Sequence, residues 1–276
     1  MRRAVLTAVA IVGGLMMGAA ACGPALDPEG DVSSATPRPT TALSVYFERS
    51  GGLHALRRTV PATRAVATAA LRELLQGPSP SERLAGYRSA IPNGTRLIGI
   101  TIQNGIATVN LSGRFASGGG SLSIRGRLAE LAFTATQFGA VRGVRLELDG
   151  KPASIFSGEG LVLDHPLRRS AFQDLLPPIL LEGPLSGDRV RSPLRVRGSA
   201  NVFEATFRVR LIRPGGMVVT QRLVRASAGT GTRANFDVRL RWPAQVSGPA
   251  RLQAEVQSPK DGTWRLVDES RVTIRP

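Results

Sequence analysis

The sequence predicts an α+β module of β-α-β-β-α-β order followed by an all-β sandwich. Two segments with apolar residues at helical spacing fall in the first half, near 62–76 and 121–139. Between and after them run short alternating segments punctuated by Asn-Gly, Asp-Gly and Gly-Pro, which read as strands and turns. Beyond Pro177-Pro178 the helical patterns stop and only strand-like runs remain.

The chain opens Met1-Arg2-Arg3 and stays apolar from Ala4 to Ala21, the grammar of a secretory signal. Ala19-Ala20-Ala21-Cys22 resembles the bacterial lipobox, with Ala19 where Leu is usual, and Cys22 is the only cysteine of the 276 residues. A single Cys forms no internal disulfide, so its position behind the apolar run carries the meaning. Residues 1–21 are read as a lipoprotein signal peptide and Cys22 as its lipidated first mature residue. A plain secretory signal and an uncleaved membrane helix are the competing readings, the latter because the run is at the short edge of a spanning length. Arg2-Arg3 lacks the flanking Ser and Phe of twin-arginine signals, so ordinary secretion leads and twin-arginine export is the alternative. Residues 22–41, rich in Pro, Gly, Ser and Thr, read as a solvated tether.

The first module is placed at 42–175. Leu43 to Glu48 is a strand candidate, followed by a Gly-containing loop. Val66, Ala70, Leu71, Leu74 and Leu75 then share one helical face, stopped by Gly77-Pro78. In LIGITIQNGIATVNL, Asn104-Gly105 fits a type I′ hairpin turn, which sets Ile102 opposite Ala107, Ile100 opposite Val109, Ile98 opposite Leu111 and Thr101 opposite Thr108. After Gly118-Gly119-Gly120, a second helix aligns Leu128, Leu131, Ala132, Ala135 and Phe138, with Gly139 as its C′ residue. VRGVRLELDGKPASIF adds a strand, an Asp149-Gly150 turn and another strand. The expected result is two helices on one mainly antiparallel sheet.

The second module is placed at 178–276. ILLEGPLS, PLRVRGSA, ATFRVRLIR, GMVVTQRLVRA, ANFDVRLRW, ARLQAEVQS and ESRVTIRP give about seven strands, the pattern of an immunoglobulin-like sandwich. Asp261-Gly262 reads as a hairpin turn.

These residues carry a family resemblance. IPNGTRLIGITIQNGIATVNLSGRFASGGG, LAFTATQFGAVRGVRLELDGKP and FSGEGLVLDHPLRRSAF resemble the GerMN domain of sporulation and spore germination proteins, which also occurs in actinobacterial envelope lipoproteins. SPLRVRGSANVFEATFRVRL, SPKDG and ESRVTIRP resemble the immunoglobulin-like bacterial spore germination domain that often follows it. The resemblance implies a small α+β module similar in shape to ring-building domains of secretion machines, a partner sandwich that binds or packs, and no catalytic residues in either.

The formal net charge is +16, and of 36 basic residues only Lys151 and Lys260 are lysine. Residues 42–172 and 181–276 each carry about twice as many basic as acidic residues, so both modules are basic. Arg189/Arg191, Arg195/Arg197, Arg208/Arg210 and Arg239/Arg241 repeat at period two, which places each pair on one strand face. A solvated outer face is the plain reading. The sharper one makes Arg195, Arg197, Arg208, Arg210, Arg239 and Arg241 a candidate face for anionic headgroups or acidic wall polymers. Aromatics are 5% and no nucleic-acid-binding pattern occurs, so nucleic acid is not expected as a partner.

No H-E-x-x-H, C-x-x-C or G-x-S-x-G pattern is present. His54 and His165 are assigned to loop or packing roles, Gly118–Ser121 and Gly229–Ala234 to turns, and adjacent Asp268 and Glu269 to opposite strand faces. No catalytic residue, metal or cofactor is expected. The leading reading is a lipid-anchored, non-catalytic protein on the extracytoplasmic face of a bacterial cell membrane, held through Cys22 and binding a wall polymer or an envelope protein. The alternative is a self-assembling ring or collar of an envelope-spanning complex, and a cell-wall hydrolase is the third.

Overall fold

The computed structural model describes residues 38–156, 160–229 and 231–276. From Arg38 onward these residues form one compact unit. Its strands and helices are, in order, β1 (Thr40–Arg49), β2 (Gly52–Pro61), α1 (Val66–Leu75), α2 (Pro80–Leu84), β3 (Leu97–Gln103), β4 (Ile106–Leu111), α3 (Ser121–Ala135), β5 (Gly143–Leu148), β6 (Lys151–Pro152), β7 (Ile155–Phe156) and β8 (Leu161–Val162). The sandwich follows with β9 (Ile179–Gly183), β10 (Arg189–Val190), β11 (Leu194–Ala200), β12 (Thr206–Ile212), β13 (Val218–Arg225), β14 (Ala234–Leu240), β15 (Gly248–Gln257) and β16 (Trp264–Ile274). The fold class is α+β with a β-rich second half.

Three features of the first half differ from expectation. The loop after Glu48 is strand β2, which pairs with β1 through a Ser50-Gly51 turn at φ 53° and 79°. Positive φ at both central residues is the type I′ geometry that suits a two-residue hairpin. Second, β1-β2 stands as its own sheet beside a four-stranded sheet in the order β3-β4-β5-β6. Within that sheet β4 and β5 run parallel, because α3 is the crossover between them. Third, α3 ends at Ala135 with Thr136 as its C-cap, so Phe138 and Gly139 lie beyond it. The expected tether also yields its last two residues to structure, since Thr40 and Thr41 open β1 opposite Pro61 and Val60.

The Asn104-Gly105 hairpin forms with φ 52° and 80°, and Ile102–Ala107, Ile100–Val109 and Thr101–Thr108 pair as the turn dictates. A bulge between Leu97 and Gly99 then sets Leu97, not Ile98, opposite Leu111 and leaves Ile98 53% exposed. Gly77 takes φ 74° just past α1, and Asp149-Gly150 takes φ 47° and 80° between β5 and β6. α2 opens with a capping box in which the Ser79 hydroxyl accepts from the Glu82 N–H and the Glu82 carboxylate accepts from the Ser79 N–H.

Two hydrophobic cores result. The first gathers Val45 and Phe47 of β1, Leu71 and Leu74 of α1, Val109 of β4 and Leu128 and Leu131 of α3. α3 touches the hairpin through β1 and the larger sheet through β5, and it buries polar residues as well as apolar ones. The second core lies between a three-stranded sheet, β14-β11-β9, and a five-stranded one, β10-β16-β15-β12-β13. It is built from alternate residues such as Val196, Phe207, Val209, Leu211, Phe236 and Leu252. β9 serves both cores: Ile179 and Leu181 face the sandwich interior, whereas Leu180 between them joins the first core.

Candidate functional site

Because β9 turns its other face to the first module, the outer side of the three-stranded sheet is partly covered there. At the covered end, Glu182 accepts hydrogen bonds at 2.6 Å from the Tyr46 hydroxyl of β1 and from the Arg169 guanidinium. Arg169 also donates to the Phe133 carbonyl and the Thr136 hydroxyl, and it stacks 4.6 Å from the Phe133 ring centroid. Burial, with Glu182 alongside, holds the Tyr46 phenol above its ordinary range.

A second tie joins His54 of β2 to Asp268 of β16 at 2.9 Å, and both are buried. The other Asp268 oxygen accepts the Leu181 N–H at 2.8 Å. Glu269, next along the strand, faces away and accepts from Gln253. Arg57 pairs with Asp188, and Gly52 lies against Pro177, where a Cβ would come within 3.1 Å of the ring. The two halves are therefore clamped by one buried and two part-buried polar ties as well as by Leu180.

Where the covering stops, a groove of about 1310 Å³ opens between β1 and the post-α3 segment on one side and the outer face of β9, β11 and β14 on the other. Arg57, Arg169, Arg189, Arg191, Arg195 and Arg197 line it, with Glu182, Asp188 and Asp237. The carboxylates are all engaged: Glu182 by Arg169, Asp188 by Arg57, and Asp237 by a two-oxygen contact with Arg195. A neighbouring hollow of about 490 Å³ is lined by Arg222, Asp237, Arg239 and Arg241 and shares the Asp237 wall.

The six arginines singled out from the sequence do not form one face. Arg195, Arg197 and Arg239 project outward from the three-stranded sheet, with Arg195 opposite Arg239 and Arg197 opposite Asp237, and Arg241 follows β14. Arg208 and Arg210 stand on β12 in the other sheet and are engaged there. Both bind Glu255 of β15, and Arg208 packs 4.1 Å from the Trp264 ring centroid. Period two predicts the face within a strand but not which sheet the strand joins.

His165 is exposed and contacts its neighbour Asp164 at 2.8 Å, whereas His54 is a packing residue of the interface. Gly118 and Gly119, at φ 62° and 84°, form the turn into α3, and the buried Arg127 holds it through the Ser117 and Gly118 carbonyls. Asp261 closes the β15-β16 turn by accepting from the Thr263 N–H and hydroxyl, which draw its carboxyl down to about 2. Among the described residues no cluster of three or more His, Cys, Asp or Glu is arranged to hold a metal, and no helix is long and apolar enough to cross a membrane. Cys22 and the 1–21 segment lie outside the described residues. Sequence reasoning did not bring Arg57, Arg169, Arg189 and Arg191 to one groove. Only the Arg189/Arg191 spacing signalled any of them.

Residues 44–154 match the family model for sporulation and spore germination, and residues 179–263 match that for the immunoglobulin-like domain of bacterial spore germination. The first half is thus similar to a GerMN-type domain and the second to an immunoglobulin-like germination domain. The GerMN-type match spans β1 to β6 and the second match runs from β9 into the β15-β16 turn. Among solved structures, the chain is similar to the first GerMN domain of the sporulation protein GerM from Bacillus subtilis, with 19% identity, a TM-score of 0.38, and 47% of this chain and 98% of that one covered. It is similar to the tandem GerMN domains of the same protein, with 14% identity, a TM-score of 0.42, and 74% and 62% covered. A putative lipoprotein from Clostridium perfringens gives 20% identity, a TM-score of 0.36, and 50% and 93% covered. No curated protein matches the chain.

Proposed function

We propose that this protein is a non-catalytic binding and structural component of the bacterial cell envelope, anchored by a lipid on Cys22 at the extracytoplasmic face of the membrane. The supporting observation is the joint between the modules. His54–Asp268, Tyr46–Glu182–Arg169 and Arg57–Asp188 hold the two halves as one body and leave an open, arginine-lined groove beside them. Such a body presents a preformed surface, which lowers the ordering cost of binding. The lipobox-like AAAC supports the anchor, and the Pro-, Gly-, Ser- and Thr-rich sequence between Cys22 and β1 supplies reach.

Replacing Cys22 by Ser in the full chain tests the anchor. Release into the medium or an unprocessed precursor is expected, and a fully processed form that stays anchored refutes lipidation.

The self-assembling reading is favoured by one feature. β3 is the outer strand of its sheet, and Ile98 and Ile102 on it are 53% and 43% exposed. Light scattering at high concentration tests it, and a strict monomer argues against it.

A further inference from the structure

We infer that the groove between β1 and the outer face of the three-stranded sheet is a binding site for a linear polyanion with phosphodiester charges. This deepens the binding role proposed above and rests on it, but it does not depend on the Cys22 anchor.

The first argument is charge. Each groove carboxylate is ion-paired to one arginine, which leaves Arg189, Arg191 and Arg197 outside any ion pair among the described residues, although Arg197 faces Asp237 and, behind Arg195, helps hold its carboxyl low. All three are exposed, so their guanidinium forks are presented to solvent at little desolvation cost to an incoming anion. Arg197 lies over Gly183, where a Cβ would sit 3.7 Å from its terminal nitrogen, so the guanidinium rests against the strand that bounds the groove.

The second argument is shape. The groove is open rather than enclosed, and the arginines on its sandwich side come from β10, the following loop and β11, a row that suits a chain better than a compact ion. Arg195 and Arg197, two residues apart on one strand face, repeat at about 6.7 Å.

The third argument is what the walls lack. Of the three aromatics that line the groove, Tyr46 and Phe236 are 1% and 6% exposed and only Phe138, on the post-α3 segment, is partly exposed, so guanidiniums outnumber ring faces where a ligand would lie. Single-stranded nucleic acid is gripped by stacking bases on exposed aromatics. A chain of simple alcohol phosphates needs no such platform.

The experiment measures binding of a glycerol-phosphate oligomer to the full chain across a salt series, in detergent. With three arginines engaged, log K is expected to fall with log salt at a slope of about −2 by the single-strand value of about −0.7 per charge. Arg191→Gln with Arg197→Gln is expected to weaken binding roughly tenfold or more at low salt and to flatten the slope to about −0.7. A control pair, Arg64→Gln with Arg225→Gln, removes the same charge from exposed positions outside the groove and is expected to change affinity less than about twofold. Melting curves check that both double variants fold.

Equal losses in the two pairs would overturn the site in favour of attraction by overall charge. No binding by the parent chain at low salt would also overturn it. Equal affinity for polyglutamate would overturn the phosphodiester assignment. Tighter binding to phosphatidylglycerol vesicles than to the oligomer, with the same loss in the groove variant, would transfer the groove to a lipid headgroup and overturn the polymer. A failed Cys22→Ser test would remove the anchor and leave these results standing.

Discussion

The Nδ1 atom of His54 lies 2.9 Å from Oδ1 of Asp268, joining two residues 214 positions apart in the chain. The same carboxylate accepts the Leu181 N–H, so one buried side chain ties β2, β9 and β16 together. Removing either partner leaves a buried polar group short of a hydrogen bond, at about 1–3 kcal/mol. His54→Ala, Asp268→Ala and the double variant, compared by denaturant unfolding, are expected to show a coupling of about 0.5–3 kcal/mol. Additive losses would mean that each residue serves its own half separately.

Glu130 gives a pH dependence of defined sign. It is fully buried in α3 and accepts from the Ser89 hydroxyl at 2.6 Å and the Ala90 N–H at 2.7 Å. Burial pushes its carboxyl up to about 8, against the opposing effect of those donors and of Arg127. The folded chain therefore holds this proton more tightly than the unfolded chain. Its contribution to stability is complete below pH 4.5, the ordinary value, and is lost as pH rises through about 8. Unfolding free energies are expected to fall by up to roughly 1.4 kcal/mol per pH unit inside that window. Glu130→Gln should flatten the slope, and a slope that persists in the variant would assign it to another group.

Gly198 is required by close approach rather than by dihedral angle. A Cβ there would lie 2.0 Å from the Leu180 carbonyl oxygen and 2.7 Å from the Phe236 ring. The ring is itself packed in the core against Phe207, and the carbonyl belongs to β9, whose pairing with β11 already shifts register beside Gly198. Gly198→Ala must push β9 away, and β9 carries Leu180 and Glu182 to the first module. A loss of roughly 1–3 kcal/mol is expected, with faster protease cleavage near Pro177-Pro178. Parental stability and cleavage rate would show that β9 does not pack this closely.

Much of this fold was legible because local chemistry and tertiary structure agree. Asn104-Gly105, Asp149-Gly150 and Gly77 sit where positive φ is needed, and the sandwich strands alternate because each buries one face. β2 was not legible for the opposite reason. Gly52 to Leu56 are buried in succession, since one side meets the first core and the other meets Pro177 and Asp268. A strand covered on both faces loses the period that announces a strand. α3 is similar, with Arg127, Glu130 and Thr134 buried alongside Leu128 and Leu131. The groove was illegible as a unit because its arginines come from β2, the segment after β8, β10 and β11, and only the packing of β9 on the first module gathers them.

Tyr46 and Arg169 separate folding from binding within that groove. Tyr46→Phe removes one donor to Glu182 but leaves Arg169 in place, so a cost of about 1 kcal/mol is expected. Arg169→Met removes the cation that faces Glu182, the bond to the Phe133 carbonyl and the stacking on the Phe133 ring, so a larger cost of roughly 3 kcal/mol is expected. Equal costs in thermal or denaturant unfolding would show that Glu182 draws as much from the phenol as from the guanidinium. Neither Tyr46 nor the engaged Arg169 is free to meet a ligand anion, whereas Arg191 and Arg197 are. Tyr46→Phe should therefore leave glycerol-phosphate affinity unchanged while lowering stability, the reverse of what removing Arg191 and Arg197 should do. A tenfold loss of affinity in Tyr46→Phe would move the contact point from the exposed arginines to the buried joint.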